Sequence, residues 1–141
     1  MHQLRWATQS DYPFIANSYL KSYRSAPAAK AMINDVYFPE YKARLEAMVA
    51  SGSVLVACAT DDPDQILGYL IFTELAGHTL LHYVYVKYPF RQHGIASNLI
   101  ATAKPDFNKT HTVVTHQPKS WQEVSNKYQL VYNPALVRGT K

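Results

Sequence analysis

Apolar residues recur at helical spacing in two segments of the first third of the chain. The first segment has Pro13 in its opening turn and ends before Pro27, which predicts a helix. The second begins at Pro39 and ends at Gly52, and the proline is expected to break any element before it. The residues that recur on one face are Phe14, Ile15, Ser18 and Tyr19 in the first segment, and Tyr41, Leu45, Met48 and Val49 in the second.

Runs rich in apolar and β-branched residues then predict a sheet. Three runs, at residues 53–60, 66–74 and 79–87, are joined by two short turns, which favours an antiparallel meander. The third run is apolar on both alternating faces, as in a central strand covered on both sides, and His82 is its polar exception. Shorter strands are predicted at residues 4–7, 111–116 and 130–132, with a further helix that Pro118 opens.

The most informative stretch joins the third strand of this meander to a helix through a short loop. Residues 91–96 of this loop have the sequence Arg-Gln-His-Gly-Ile-Ala. The first N–H groups of a helix have no partner inside it and carry partial positive charge, so such a loop can hold a phosphate or pyrophosphate. Gly94 would let the backbone approach the anion, and the alternative is a glycine that only allows the loop to turn.

The spacing of Val86, Arg91, Gly94 and Ala96 resembles the acetyl-coenzyme A motif of the GNAT N-acetyltransferases. The order of predicted helices and strands is similar to that family over almost the whole chain. The resemblance implies an α/β (α+β) GNAT fold, with a mixed, mostly antiparallel sheet of six to seven strands. About four helices would flank the sheet, which would splay between its fourth and fifth strands. Residues 1–141 would form a single acetyl-CoA-binding N-acetyltransferase domain.

The resemblance also implies a site for acetyl-CoA as co-substrate. The loop amides would hold the pyrophosphate, and the pantetheine amides would pair with the end of the central strand. In the family the amide at the position of Val84 polarises the thioester carbonyl. The cofactor-binding candidates are Val84, Tyr85, Val86, Arg91, Gln92, His93, Gly94, Ile95, Ala96 and Ser97.

Acyl transfer to an amine needs a group that takes a proton near neutral pH, and histidine suits this task. Strict alternation places His82 on the same face as Val84 and Val86. The arylalkylamine N-acetyltransferases, which this motif resembles, carry a base-relay histidine at the position of His82. The alternative is a core histidine whose nitrogens are hydrogen-bonded to backbone or water.

The end of the last predicted helix departs from the family pattern. The family's tyrosine, which protonates the departing thiolate, is replaced by Ser125, and its Gly-Phe pair by Gln129-Leu130. Tyr128, nearly one helical turn later, is the candidate to take over the acid role, and a packing residue is the alternative.

Aromatic residues between the first two helices, and one acidic residue at a strand end, are candidates to line the acceptor pocket. In the family this segment lines that pocket, while core aromatics and a solvated turn residue are the alternatives. These candidates are Tyr23, Tyr37, Phe38 and Glu74.

The site candidates lead to two hypotheses. The first is an N-acetyltransferase that moves the acetyl group to a primary amine by direct attack in a ternary complex. The second is a catalytically lapsed CoA-binding module of the same fold that acts through a protein partner.

Composition limits the partners. With 48% hydrophobic and 17% charged residues the chain is expected to be globular, and its net charge of +4 and pI near 9.1 suit an anionic ligand. Because the basic residues are scattered, no nucleic-acid partner is expected. The acceptor is expected to be a small-molecule or protein amine, and the chain a monomer or homodimer.

Compartment and metal chemistry follow from a few residues. The single cysteine, Cys58, excludes an intramolecular disulfide, and neither a signal peptide nor a membrane span is evident, so a cytoplasmic protein is expected. No metal is expected, because His111 and His116 are spaced to lie on opposite faces of a strand.

Overall fold

A computed structural model describes residues 2–75, 77–104, 112–116 and 130–133 of the chain. These residues form one six-stranded sheet whose spatial order follows the sequence order. The strands are β1 (His2–Trp6), β2 (Ser53–Ala59), β3 (Asp62–Leu75), β4 (His78–Val86), β5 (Thr112–Val114) and β6 (Leu130–Tyr132), and the helices are α1 (Tyr12–Tyr23), α2 (Asn34–Ser51) and α3 (Ile95–Ala103).

The sheet is mixed. Strands β1 to β4 pair antiparallel with their neighbours, so the predicted meander of β2, β3 and β4 is confirmed. Strands β5 and β6 continue the sheet in parallel to β4. The central position of β4 explains its apolar residues on both faces, because helices cover each side of the sheet.

Each face of the sheet packs against its own helices. Helices α1 and α2 cover one face, where Tyr19, Tyr37 and Tyr69 are fully buried. Helix α3 covers the other face through Ile95 and Leu99. We call these the α1/α2 face and the α3 face.

The first predicted helix is confirmed as α1, but the predicted start of the second is wrong. Helix α2 begins at Asn34, so Pro39 lies inside it. Proline removes one intrahelical hydrogen bond there, yet its fixed φ suits a helix. The turn before it is held because the Tyr37 ring is buried, stacks on Tyr41 and donates its hydroxyl to the Leu20 carbonyl at 2.6 Å.

A β-bulge interrupts the pairing of β3 with β4. Ile71 pairs with Tyr83 and Phe72 pairs with Leu81, so His82 is an extra residue in β4. An extra residue interrupts the regular alternation of side chains between the two faces of the sheet, so residues before and after it do not keep the faces that strict alternation predicts. The prediction that His82 shares a face with Val84 and Val86 is therefore wrong.

Strands β4 and β5 separate soon after they meet. Among the described residues β5 pairs with β4 only at Leu80 and Leu81, while β4 runs on to Val86. This is the splay that the GNAT resemblance implied, and the fold class is confirmed. The predicted helix after Pro118, with Ser125 and Tyr128, lies outside the described residues. No helix in the described part of the chain has the length and apolar character to cross a membrane.

Candidate active site

The loop before α3 has the backbone geometry of an anion site. Gly94 caps the helix with φ +81°, in the left-handed region that glycine favours, and a Cβ there would meet no atom within 4 Å. The first intrahelical bond runs from the Asn98 amide to the Gly94 carbonyl at 3.0 Å. The amides of Ile95, Ala96 and Ser97 therefore precede the helical ladder at its positive end.

A cleft of about 290 Å³ joins this loop to the end of β4. All of the cofactor-binding candidates except Tyr85 and His93 line it. The Tyr85 ring lies on the α1/α2 face against Tyr69, at 5.4 Å between centroids. His93 bonds its Nδ1 to the Arg91 carbonyl at 2.7 Å. The cleft was assembled from one continuous segment, which is why a sequence motif could predict it.

Phe90 also lines the cleft and was missed by sequence reasoning. It ends a short 3₁₀ turn, Tyr88–Phe90, and packs half-buried against the α3-face core. The available signal was its place directly before Arg91, at the start of the loop.

Arg91 is held at the mouth of the cleft. Its Nε donates to the Val86 carbonyl at 2.8 Å, and its guanidinium lies 5.6 Å from the centroid of the Tyr88 ring. This bond ties the loop to the last residue of β4 and keeps a positive charge beside the helix start.

His82 is buried on the α1/α2 face, with 1% of its surface exposed. Its Nε2 bonds to the Thr73 hydroxyl at 2.8 Å and its Nδ1 to the Thr115 hydroxyl at 2.7 Å. The Thr73 hydroxyl lies near the end of α2. A Cβ added at Gly52, directly after this helix, would come within 2.5 Å of it and within 2.7 Å of the Met48 carbonyl oxygen. Burial lowers the pKa of His82 to about 4, so the imidazole is neutral at pH 7. Both ring nitrogens are engaged, as expected for a satisfied core histidine.

His116 extends this network and was not foreseen as part of it. Its Nδ1 lies 3.1 Å from the Thr115 hydroxyl, and its Nε2 lies 2.5 Å from the Tyr19 hydroxyl. Burial lowers the pKa of His116 to about 3, with smaller contributions from His82 and Arg44. In the sequence, the only indication of this network was a weak one: Thr115 and His116 are adjacent polar residues at the end of a predicted strand.

The four acceptor-pocket candidates lie in different surroundings. Tyr23 is buried among Tyr19, Tyr83 and His116, and Tyr37 is buried in the same core. Phe38 is exposed, and Glu74 accepts a hydrogen bond from the Thr79 hydroxyl at 2.8 Å. Tyr23 and Tyr37 thus lie buried in the core, and their role in an acceptor pocket stays a prediction.

Comparison with known proteins decides the family. The family model described as Acetyltransferase (GNAT) family matches residues 6–117, which is most of the chain. The chain belongs to the GNAT acetyltransferase family. Among curated proteins none matches this GNAT chain at a significant level.

Solved structures share the fold of this GNAT chain at low sequence identity. A possible acetyltransferase from Clostridium difficile 630 is 21% identical with a TM-score of 0.59, and the match covers 94% of each chain. The ribosomal-protein-alanine N-acetyltransferase from Brucella melitensis biovar Abortus 2308 is 19% identical with a TM-score of 0.58, over 92% of this chain and 88% of its own. The PaiA N-acetyltransferase from Thermoplasma acidophilum, solved in complex with coenzyme A, is 16% identical with a TM-score of 0.57, over 74% and 70%.

Proposed function

We propose that this protein transfers an acetyl group from acetyl-CoA to a primary amine by direct attack in a ternary complex. The observation that carries the proposal is the single cleft that runs from the amides at the start of α3 to Val84 and Val86. A pyrophosphate needs the first part of this cleft, and an amide-containing arm needs the second. The GNAT neighbour solved with coenzyme A adds support from a protein of the same fold.

The chemistry assigned to each part follows from the charges that develop. The α3 amides and Arg91 would hold the pyrophosphate, and the amide of Val84 would stabilise the oxyanion of the tetrahedral intermediate. The amine nitrogen bonds to the thioester carbonyl carbon, the carbon–sulfur bond breaks, and the amine loses one proton. Coenzyme A leaves as thiolate and takes up a proton, for which Tyr128 or water is the donor.

The destination of the amine proton is either His82 or water. An imidazole with both nitrogens hydrogen-bonded must release one partner before it accepts a proton. Because both nitrogens of His82 are engaged, water is favoured as the immediate acceptor of the amine proton.

A lapsed CoA-binding module remains the second candidate. The engaged nitrogens of His82 and the serine at position 125 favour it. It shares the cofactor site with the enzyme and differs only in turnover.

Two measurements separate the candidates. Isothermal titration calorimetry with coenzyme A tests the site, and we expect saturable binding with a Kd below about 1 mM. Thiol release from acetyl-CoA across a panel of small amines, polyamines and peptide N-termini tests the reaction. Binding without thiol release on any amine would favour the lapsed module, and no binding at millimolar coenzyme A would overturn both.

A further inference from the structure

A continuous chain of hydrogen bonds lies on the α1/α2 face where β4 and β5 separate. It runs through Thr73, His82, Thr115, His116 and Tyr19, and every link is between 2.5 and 3.1 Å long. All five side chains are buried. The hydrogen-bond chain therefore links β3, β4, the end of β5 and α1 in water-excluded surroundings.

The link between the two separating strands lies directly after their last backbone contact. Leu81 pairs with Val114, and the Thr115 amide donates to the Leu81 carbonyl at 3.1 Å. The next residue of β4 is the bulged His82, whose Nδ1 meets the Thr115 hydroxyl. A side-chain bridge thus takes the place of the next backbone pair.

The protons of the chain are mutually constrained at Thr115. Its hydroxyl has one hydrogen and faces the Nδ1 atoms of both His82 and His116. It donates to one ring nitrogen and accepts from the other, so one of the two Nδ1 atoms carries a proton and the other does not. Loss of this hydroxyl would leave two buried ring nitrogens without their common partner, which is costly.

We propose that this hydrogen-bond chain sets the width of the splay between β4 and β5, and so positions the slot that receives the pantetheine arm. Thr115, His116 and Tyr19 are then positioning residues. The inference rests on the proposed function, because it assumes that coenzyme A occupies the cleft beside Val84. It adds that arm binding depends on groups on the opposite face of the sheet.

The test compares two probes that differ only in the arm. Coenzyme A needs both the α3 loop and the slot, whereas 3′-phosphoadenosine 5′-diphosphate lacks pantetheine and needs only the loop. For Thr115→Val we expect about tenfold weaker coenzyme A binding and less than about twofold change for the nucleotide. Thr115→Ser keeps a hydroxyl and should restore coenzyme A affinity to near the wild-type value.

The outcomes distinguish this inference from the proposed function. Wild-type protein that binds neither probe overturns the proposed function and this inference with it. Wild-type binding combined with equal losses for both probes, or with no loss, in Thr115→Val overturns the inference alone. If Thr115→Val does not fold, Tyr19→Phe removes the far end of the chain and keeps the ring, and it must show the same selective loss.

Discussion

The cleft on the α3 face and the hydrogen-bond chain on the α1/α2 face are built in opposite ways. The cleft comes from one segment, residues 84–97, and presents backbone groups. The chain takes side chains from four elements, spread from Tyr19 to His116, and buries them all. Local backbone geometry is thus enough to form the candidate anion site, whereas a buried polar network requires the complete tertiary fold.

The largest expected effect comes from placing a charge at the helix start. Gly94→Glu puts a carboxylate into the open space beside the α3 amides, where the proposed pyrophosphate would lie and like charges would cost several kcal/mol. We expect coenzyme A affinity to fall by at least about 1,000-fold by calorimetry.

Gly77→Glu is the matched control for that variant. Gly77 has nearly the same φ, +80°, and equally open surroundings, but it lies in the turn before β4. It adds the same charge and the same backbone strain, so unchanged affinity is expected. Equal losses in the two variants would assign the effect to strain and remove the cleft from consideration.

Acid pH should weaken the hydrogen-bond chain and so lower the stability of the fold. The pKa of His82 is about 4 in the folded protein and about 6.5 in the unfolded chain, so its neutral form favours folding. This contribution, on the order of 3 kcal/mol, is complete above pH 6.5 and is lost as pH falls toward 4. His116 acts in the same direction.

Urea unfolding between about pH 7.5 and about pH 5 measures this dependence. We expect His82→Gln to lose stability less steeply over this range than wild type. The exposed His78 provides the control, since His78→Gln should follow the wild-type profile. A wild-type midpoint that does not move with pH would contradict the neutral assignment of the imidazoles.

A smaller effect is expected from the apolar wall of the cleft. Phe90→Ala removes a half-buried ring beside the loop and should weaken coenzyme A binding about tenfold. Tyr88 belongs to the same 3₁₀ turn but is 80% exposed, so Tyr88→Ala should change affinity much less. Calorimetry with both variants decides whether Phe90 belongs to the site or only adjoins it.

The smallest expected effect concerns a single hydroxyl in the α1/α2 core. Tyr37→Phe removes the bond to the Leu20 carbonyl and should lower the free energy of unfolding by about 1 kcal/mol. Coenzyme A affinity should not change, because Tyr37 is a packing residue on the other face. Tyr88→Phe, at an exposed ring, controls for the substitution, and a changed coenzyme A affinity in Tyr37→Phe would contradict the separation of this residue from the cleft.

The sequence predicted what depends on neighbouring residues. The periodicity of apolar residues predicted α1 and the meander, and the spacing from Arg91 to Ala96 predicted the cleft. Each of these features is determined by residues close to one another in sequence. It failed at Pro39, where burial of the Tyr37 ring outweighs one lost hydrogen bond. It also failed at His82, because a bulge depends on the partner strand and leaves no mark on the alternation of one strand.

That bulge makes His82 an inserted residue, and insertions behave differently from substitutions. Deletion of position 82 would restore regular pairing from Leu81 to Tyr83 and keep Val84 and Val86 on the α3 face. Substitution at the same position keeps the distortion and changes only the side chain it displays. In an alignment of related chains, loss of this imidazole could therefore appear as a gap with no change in the letters on either side.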